Sequence, residues 1–372
     1  MNLALSLPSF STKIERGNYL TLLRNEFGLI NTTMVHASKQ SKKGIMENIH
    51  KLKILSTGSY VPSKIVKNDV FEKKFNIEHD WIANNLGIHE RRISANNECT
   101  SDLASEAAKI ALQKSGLEAS DIDLIIVATA TPDRLCPSTA CIVQEKISAF
   151  NAAAFDISAV CSGFLFSLSI ASQYIANGMY NKILLIGADT FSKITDWNKR
   201  DCIFFGDGAG AAIVTSAEDS GFLSFKMFSD GRGKNHFTVP AGGSEIPSSI
   251  DSINSRKHFY EMNGKEVYKT GTTALPNAIK QVLNDANLKI DDISIMIPHQ
   301  PSLKVLKKTA EIVGIPWEKV ATNMKLIANT AAGTVPILMD ELNSSNKLKK
   351  DDLILFATVG SGWTYSAAVM KW

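Results

Sequence analysis

The sequence predicts an α/β protein made of two similar halves, each rich in βαβ units. Apolar strands alternate with amphipathic or alanine-rich helices through most of its 372 residues, of which 44% are hydrophobic, enough to bury a large core. Residues 288–297 repeat the pattern of residues 117–126 at a constant spacing (288 − 117 = 171). Such a duplication predicts a pseudo-symmetric fold in which the strand ends of both halves meet at one site.

In the first half, local patterns predict four elements. Residues 52–58 are an apolar strand that ends at a glycine, and a short helix follows around residues 68–75. Residues 100–115 form an alanine-rich helix, which Gly116 ends. Residues 122–128 are an unbroken apolar run, which is typical of a strand buried on both faces of a parallel sheet.

The second half repeats this order. Its predicted elements are a helix over 271–284, a strand within 288–297, a helix over 335–342 and a strand over 352–358. In this comparison residues 329–333 correspond to the corner that carries Cys161, so Asn329 sits at the second-half equivalent of that corner. The halves join near Ser220, so we expect an N-terminal half over 48–220 and a C-terminal half over 221–372.

Cys161 stands at a corner where an apolar strand gives way to a helix. A helix N-terminus presents unpaired N–H groups and the positive end of the helix dipole, which favour a thiolate and therefore a nucleophile. Free cysteine is also among the most buried residue types, so the corner alone leaves a structural role open. His299 follows a second-half strand, and its place opposite the cysteine in a duplicated architecture favours a catalytic role.

The composition argues against several classes of function. The formal charge of +3 does not indicate binding to nucleic acid. The five cysteines show neither a CxxC pair nor Cys/His ligand spacing, so we expect no metal site, no disulfide framework and a reducing, cytoplasmic location. No apolar run approaches the ~20 residues needed to cross a bilayer, and we expect no association with a membrane.

Residues 1–47 differ from the rest of the chain because they lack a clear core pattern. Three interpretations compete: an organelle-targeting extension, a docking or dimer-contact arm, and an upstream start codon with Met34 or Met46 as the true beginning. Acidic residues and interspersed Leu and Ile fit a transit peptide poorly, so the last two are favoured.

Several motifs together resemble β-ketoacyl-acyl carrier protein synthase III, within the thiolase-like superfamily. They are residues 156–164 around the cysteine, 205–212, 298–300, 329–330 and 360–364. The similarity covers about Leu52 to Trp372. It implies a thiolase-like fold with αβαβα layers and a homodimer.

The resemblance implies a catalytic triad of Cys161, His299 and Asn329. Cys161 would take an acyl group from a thioester, and the first carrier would leave. His299 Nε2 and the Asn329 amide would then bind the thioester carbonyl of a malonyl-acyl carrier protein and stabilise the enolate that forms as carbon dioxide departs. The backbone N–H groups of Cys161 and Ser361 would hold the oxyanion of the tetrahedral intermediate.

For the substrate entrance, the resemblance implies an adenine of coenzyme A held between Trp81 and an arginine, for which Arg200 is our choice. Coenzyme A would be part of the substrate, and no cofactor is implied. Asn85 stands where the family usually has a phosphate-contacting arginine, which leaves room for a donor bound to a carrier protein.

A cluster of lysines follows His299. Lys304, Lys307 and Lys308 could meet an acidic acyl carrier protein, or they could form an ordinary solvated helix face. The two interpretations are equally weighted.

The acyl pocket is expected at Phe205, Val359 and Cys136, the last reaching the partner's pocket across the dimer. Cys136 and Val359 are smaller than the aromatic residues common at these positions, so we expect a deeper pocket that accepts acyl groups longer than acetyl.

Two alternatives to a fatty-acid initiation enzyme follow from these departures and from Asn85. One is a secondary-metabolite ketosynthase that uses a longer, β-keto or aromatic donor. The other is a non-catalytic partner subunit of a ketosynthase heterodimer, against which the complete triad argues.

Overall fold

The computed structural model describes residues 52–372, so the predictions for residues 1–47 lie outside the described part of the chain. The described strands are β1 Leu52–Tyr60, β2 Lys64–Lys67, β3 Glu90–Ile93, β4 Leu124–Ala128, β5 Ala153–Ile157, β6 Ile183–Asp189, β7 Gly208–Ser216, β8 Gly221–Ser229, β9 Phe237–Thr238, β10 Glu261–Met262, β11 Ile295–Pro298, β12 Leu353–Gly360 and β13 Thr364–Lys371.

The described α-helices are α1 Asp69–Phe75, α2 Trp81–Leu86, α3 Thr100–Ser115, α4 Thr139–Lys146, α5 Gly163–Ala176, α6 Ile250–Asn254, α7 Gly264–Asp285, α8 Leu303–Val313, α9 Met324–Ile327 and α10 Thr334–Ser344. No helix among them is both long enough and apolar enough to cross a membrane.

Two large sheets and three helical layers make up the fold. The first sheet has the strand order β1-β7-β6-β4-β5 and the second has the order β11-β12-β13-β8. Helices α5 and α10 lie between the sheets and share one apolar cluster with both. Helices α3 and α4 cover the outer face of the first sheet, and α7 and α8 cover the outer face of the second. This is the predicted αβαβα arrangement.

Strand β4 shows why the first sheet is buried. It pairs in parallel with β5 on one side and β6 on the other. Leu124 and Ile126 face the layer of α5 and α10, whereas Ile125 and Val127 face the layer of α3 and α4. An unbroken apolar run is needed because both faces are covered, and each fully buried Leu or Ile contributes about 1.5–3 kcal/mol.

Most predicted elements have the expected type, with differences at their ends. Helix α3 and its C-terminal Gly116, which has φ 70°, match the prediction. Its first turn is capped from inside the helix, because the Cys99 N–H donates to the Asp102 carboxylate at 2.8 Å. Helix α7 begins at Gly264 and not at Gly271, because the Asn263 side chain accepts from the backbone N–H of Glu266 and caps an earlier start.

The duplication extends to strand register. Leu124 of β4 pairs with Ile183 of β6. Ile295 of β11 pairs with Ile354 of β12, and both residues of this pair are displaced by the same amount (295 − 124 = 171 and 354 − 183 = 171). The turn between β7 and β8 contains the predicted junction near Ser220. The first sheet is drawn from residues 52–216 and the second from residues 221–371.

Candidate active site

The corner that carries Cys161 is a 3₁₀ turn between β5 and α5. It spans Val160–Ser162, and helix α5 begins at the next residue, Gly163. Val160 has φ 47°, a left-handed conformation that costs a β-branched residue roughly 1–2 kcal/mol. The turn closes through the Ser162 N–H, which donates to Ala159 O at 3.0 Å. The nucleophile candidate therefore lies on a strained turn at the helix start.

The second half contains the same corner at Ala331–Gly333, before α10. Ala331 has φ 48° and is the counterpart of Val160 (331 − 160 = 171). The counterpart of Cys161 is therefore Ala332 (332 − 161 = 171). This position lies within residues 329–333, the segment that the sequence comparison matched to the Cys161 corner, and Asn329 lies three residues before it.

Cys161, His299 and Asn329 all line one cavity of about 200 Å³. They reach it from three places: the first-half corner, the end of β11 and the segment before the second-half corner. Cys161 is 8% exposed, His299 2% and Asn329 6%. The fold thus brings the three sequence-predicted residues to one cavity, where each of them is largely buried.

His299 is held at both its backbone and its ring. Its N–H donates to Ala357 O on β12 at 2.8 Å, which fixes the residue at the sheet edge. Its Nδ1 lies 2.8 Å from the Thr334 hydroxyl. Burial lowers the pKa of His299 to about 3, so the imidazole is neutral at pH 7.

Asn329 is oriented by its own turn. Its side-chain Oδ1 accepts from the Ala331 N–H at 2.9 Å. Its backbone N–H donates to Phe204 O at 3.2 Å, and its carbonyl accepts from Gly206 N–H at 3.0 Å. Because Oδ1 is engaged by a backbone donor, the Nδ2 amide is the part of the side chain left to donate to a ligand.

The charge state of Cys161 differs from the expectation based on the helix dipole. Burial is the largest influence and raises the pKa of the thiol well above its ordinary value, and the nearby Asp189 carboxylate raises it further. The residue's own backbone N–H lowers the pKa by less. The resting sulfur is therefore a thiol, because the helix N-terminus does not offset desolvation and a neighbouring negative charge.

Asp189 is a buried carboxylate that joins the two halves. Its oxygens accept from the N–H of Ala130 at 2.8 Å, of Thr131 at 3.1 Å and, in the second-half corner, of Ala332 at 2.9 Å. Burial raises the pKa of Asp189 to about 6, although these hydrogen bonds oppose the shift. It was missed at the sequence level because its partners are distant in the chain.

Comparisons with known proteins agree with this geometry. Two family models match: 3-oxoacyl-[acyl-carrier-protein] synthase III over residues 155–231 and its C-terminal region over residues 283–372. A β-ketoacyl-[acyl-carrier-protein] synthase III of Natranaerobius thermophilus is 42% identical over 325 residues, which cover 86% of this chain and 99% of the relative. The chain belongs to this family.

Solved structures of the synthase III family show the same fold. The crystal structure of 3-oxoacyl-[acyl-carrier-protein] synthase III from Aquifex aeolicus VF5 superposes with a TM-score of 0.79 at 36% identity, covering 86% of this chain and all of that one. The priming β-ketosynthase of the R1128 polyketide pathway superposes with a TM-score of 0.80 at 27% identity. The chain is thus a ketosynthase-type acyltransferase with a thiolase-like fold.

The match to the priming β-ketosynthase covers 87% of this chain and 96% of that one, so both solved relatives span nearly the whole described part. Ser361, whose backbone N–H is predicted to help hold the oxyanion, lies near the cysteine. Ser361 and Gly360 line the cavity with Cys161. A Cβ atom added to Gly360 would lie 3.0 Å from the Cys161 backbone nitrogen, so glycine keeps that N–H accessible.

Aromatic rings border one side of this cavity, where the acyl pocket is predicted. Phe205 and Val359, both predicted, line the cavity together with Phe237. Phe191 stacks on Phe205 with ring centroids 4.5 Å apart, and Tyr260 stacks on Phe237 at 5.3 Å. Sequence reasoning missed Phe191, Phe237 and Tyr260, because no periodic pattern or motif marks them.

Cys136 does not line this cavity and is exposed. Its predicted role lies in a partner's pocket, so it stays a prediction.

Trp81 and Arg200, the residues predicted for the entrance, lie against each other. The Arg200 guanidinium carbon is 4.8 Å from the centroid of the Trp81 ring. Neither residue lines the cavity, whereas Asn85, four residues later on α2, does. Since the two planes already contact each other, a base could enter between them only after they separate.

The three predicted lysines on α8 differ in their surroundings. Lys304 lines the cavity. Lys307 lies 5.9 Å from the Trp317 ring, and Lys308 pairs with Glu311 at 2.7 Å. Lys304 is therefore the one of the three that borders the site.

Proposed function

We propose that this synthase III condenses an acyl thioester with a malonyl-acyl carrier protein through an acyl-Cys161 intermediate, in the reaction that initiates fatty-acid synthesis. The observation that carries the proposal is the cavity that Cys161, His299 and Asn329 share. A sulfur nucleophile and two neutral nitrogen groups in one space are the parts that an acyl transfer followed by an enolate step requires.

In the first half-reaction, the Cys161 sulfur attacks the thioester carbonyl carbon. The carbon–sulfur bond to the first carrier breaks, and the carrier leaves as a thiol. Because Cys161 begins as a thiol, the proton that it loses balances the proton that the departing thiolate gains. The backbone N–H groups of Cys161 and Ser361 hold the oxyanion of the tetrahedral intermediate.

In the second half-reaction, the malonyl thioester carbonyl accepts hydrogen bonds from His299 Nε2 and Asn329 Nδ2. Carbon dioxide leaves, and its bonding electrons form an enolate that these two donors stabilise. The enolate carbon attacks the acyl-cysteine carbonyl. The new carbon–carbon bond releases the Cys161 thiolate, which takes up one proton and returns to the thiol.

The substrates and partners follow from the surroundings of the cavity. An acyl-coenzyme A would enter past Trp81 and Arg200, and an acyl-carrier donor is the alternative that Asn85 leaves open. Lys304 is placed to meet an acidic carrier protein at the cavity border. Coenzyme A acts as part of a substrate, so we propose no resident cofactor. We also propose a homodimer, in which Cys136 would reach the partner's acyl pocket.

The principal alternative is a secondary-metabolite ketosynthase with a longer, β-keto or aromatic donor. The similarity to a priming β-ketosynthase of polyketide synthesis, at 27% identity, favours it as the second candidate. The small side chain of Val359 supports a pocket deeper than an acetyl group needs. The stacked rings of Phe237 and Tyr260 would limit the length of the acyl chain.

Mass spectrometry of the full chain tests the function directly. The chain is incubated with acetyl, longer-chain, β-ketoacyl and aromatic thioesters of coenzyme A and of carrier protein. We expect an acyl adduct on Cys161 and its absence in Cys161→Ala. The buried Cys202, changed to Ala, is the matched control and keeps the adduct. No adduct from any donor supports the non-catalytic subunit, and adducts from acetyl donors alone remove the predicted deeper pocket.

A further inference from the structure

Thr334 is the first residue of α10, and it is fully buried. Its hydroxyl lies 2.8 Å from His299 Nδ1 and 3.0 Å from Ala331 O. A hydroxyl has one proton, so it can donate to the imidazole or to the carbonyl, but not to both at once. Which acceptor receives that proton determines the tautomer of a neutral His299.

The two arrangements leave different groups facing the substrate. If Thr334 donates to Ala331 O, Nδ1 must carry the ring proton, and Nε2 can only accept a hydrogen bond. If Thr334 donates to Nδ1, the ring proton lies on Nε2, which can then donate. The proposed condensation requires the second arrangement, because Nε2 donates there to the malonyl thioester carbonyl.

Ala331 O does not depend on the Thr334 hydroxyl for a hydrogen bond. Ala331 O already accepts a hydrogen bond from the backbone N–H of Thr334. His299 Nδ1 has the Thr334 hydroxyl as its hydrogen-bonding partner within residues 52–372. Both groups are buried, and an unpaired buried nitrogen is costly. Both arrangements pair the carbonyl and the ring nitrogen, and only donation to Nδ1 also provides the Nε2 donor that the proposed condensation requires.

The duplicated half provides an internal comparison. The counterpart of His299 is Ala128 (299 − 128 = 171), and the counterpart of Thr334 is Gly163 (334 − 163 = 171). A Cβ atom added to Gly163 would lie 2.8 Å from the Ala128 Cβ. The half that lacks the imidazole thus also lacks the hydroxyl and has no room for one, so the two groups occur together.

We propose that Thr334 is the positioning residue that holds His299 in the tautomer with its proton on Nε2. The proposal rests on the proposed function, since it concerns the donor that stabilises the malonyl-derived enolate. Thr334 contacts no substrate in this role and acts through the imidazole.

Nitrogen NMR of the full chain with ¹⁵N-labelled histidine tests the tautomer without any substitution. The native chain at pH 7 is expected to show a protonated Nε2 and an unprotonated Nδ1 for His299, assigned by loss of the signal in His299→Gln. A native spectrum with the proton on Nδ1 overturns the proposal.

Three variants test the catalytic consequence. Thr334→Val removes the hydroxyl with little change in volume and is expected to slow release of carbon dioxide from malonyl-acyl carrier protein about 100-fold, the lower end of what a positioned proton donor contributes. Thr334→Ser retains the hydroxyl and should restore the rate to within about threefold of the native value. Thr309→Val is the matched control, because the Thr309 hydroxyl is buried without a hydrogen-bond partner among the described residues.

The outcomes separate this proposal from the proposed function. If the native chain neither acylates Cys161 nor releases carbon dioxide, the proposed function fails. If it does both and Thr334→Val condenses at the native rate, only the role of Thr334 is wrong. A loss in Thr334→Val that Thr334→Ser does not restore would also contradict it.

Discussion

The two corners of the duplicated fold have the same backbone and different chemistry. Val160 and Ala331 have φ values of 47° and 48°, and each begins a 3₁₀ turn that leads into a central helix. One corner carries Cys161 and the other carries Ala332 at the matching position. The geometry of a nucleophile corner is therefore present twice, and geometry alone does not make it catalytic.

The corners differ most in what lies against their backbone N–H groups. In the second-half corner, the N–H of Ala332 donates to the Asp189 carboxylate at 2.9 Å. The counterpart of Asp189 at the other corner is Gly360 (360 − 189 = 171), which has no side chain to accept from Cys161. A carboxylate thus occupies one corner amide, and a glycine leaves the other available for an oxyanion.

The largest expected effect comes from closing the open corner with Gly360→Ala. The added Cβ would lie 3.0 Å from both Cys161 N and Ala159 O, which displaces the corner and obstructs its amide. We expect acylation of Cys161, followed by mass spectrometry, to slow roughly 1000-fold, as for loss of an oxyanion donor. Gly243→Ala is the control, since its added Cβ meets nothing within 4 Å. Native acylation by Gly360→Ala would refute the role given to the open amide.

The second-largest effect is expected from removing the side-chain amide of Asn329, which the second half supplies to the site. Asn329→Asp retains an oxygen to accept from the Ala331 N–H but has no N–H to donate to an enolate. We expect carbon dioxide release to fall roughly 100-fold, while Cys161 still acquires an acyl group. Asn287→Asp makes the same change at an exposed residue with φ 54°. Equal loss in both half-reactions would contradict a role confined to the second.

A smaller effect is expected from removing the charge beside the nucleophile. Asp189 raises the pKa of Cys161, so Asp189→Asn should lower that pKa. The pH dependence of iodoacetamide alkylation at Cys161 should therefore move toward lower pH, since a larger fraction is thiolate at any given pH. A profile that stays in place or moves toward higher pH would show that the carboxylate does not act on the thiol. Asp340→Asn, at a carboxylate paired with Lys114, is the control.

The smallest effect measures the strain in the corner backbone. Ala331→Gly removes a buried methyl group but relieves a left-handed residue, and these two contributions are each about 1 kcal/mol and opposite in sign. Ala332→Gly removes a buried methyl group without that relief, because Ala332 is not among the residues with positive φ. Urea unfolding should place Ala332→Gly about 1 kcal/mol below Ala331→Gly. Equal free energies of unfolding would mean that the corner stores no strain.

The sequence was sufficient for features that depend on local pattern. The buried strand β4, the helix that ends at Gly116 and the spacing between the halves all follow from periodicity and glycine chemistry. Those features also led to Cys161 and His299, because both follow strands in the duplicated architecture. The resemblance to the synthase III family depended on the same segments.

Other features depend on contacts between distant segments and could not be predicted. The thiol state of Cys161 results from burial and from Asp189, which no helix-end argument includes. Thr334 gains its role only when α10 packs beside the end of β11. Tyr260 lies in an irregular stretch, so nothing local indicates that its ring stacks on Phe237 near the nucleophile.

The contact between Trp81 and Arg200 would affect the two substrates of the proposed reaction differently. In the closed pair the guanidinium lies 4.8 Å from the indole centroid, an attraction of about 0.5–1 kcal/mol at an exposed site. Under the proposed entrance, a coenzyme A donor would have to separate the pair and replace that attraction with its own stacking. A malonyl group on a carrier protein has no purine, so it would not need the pair to separate.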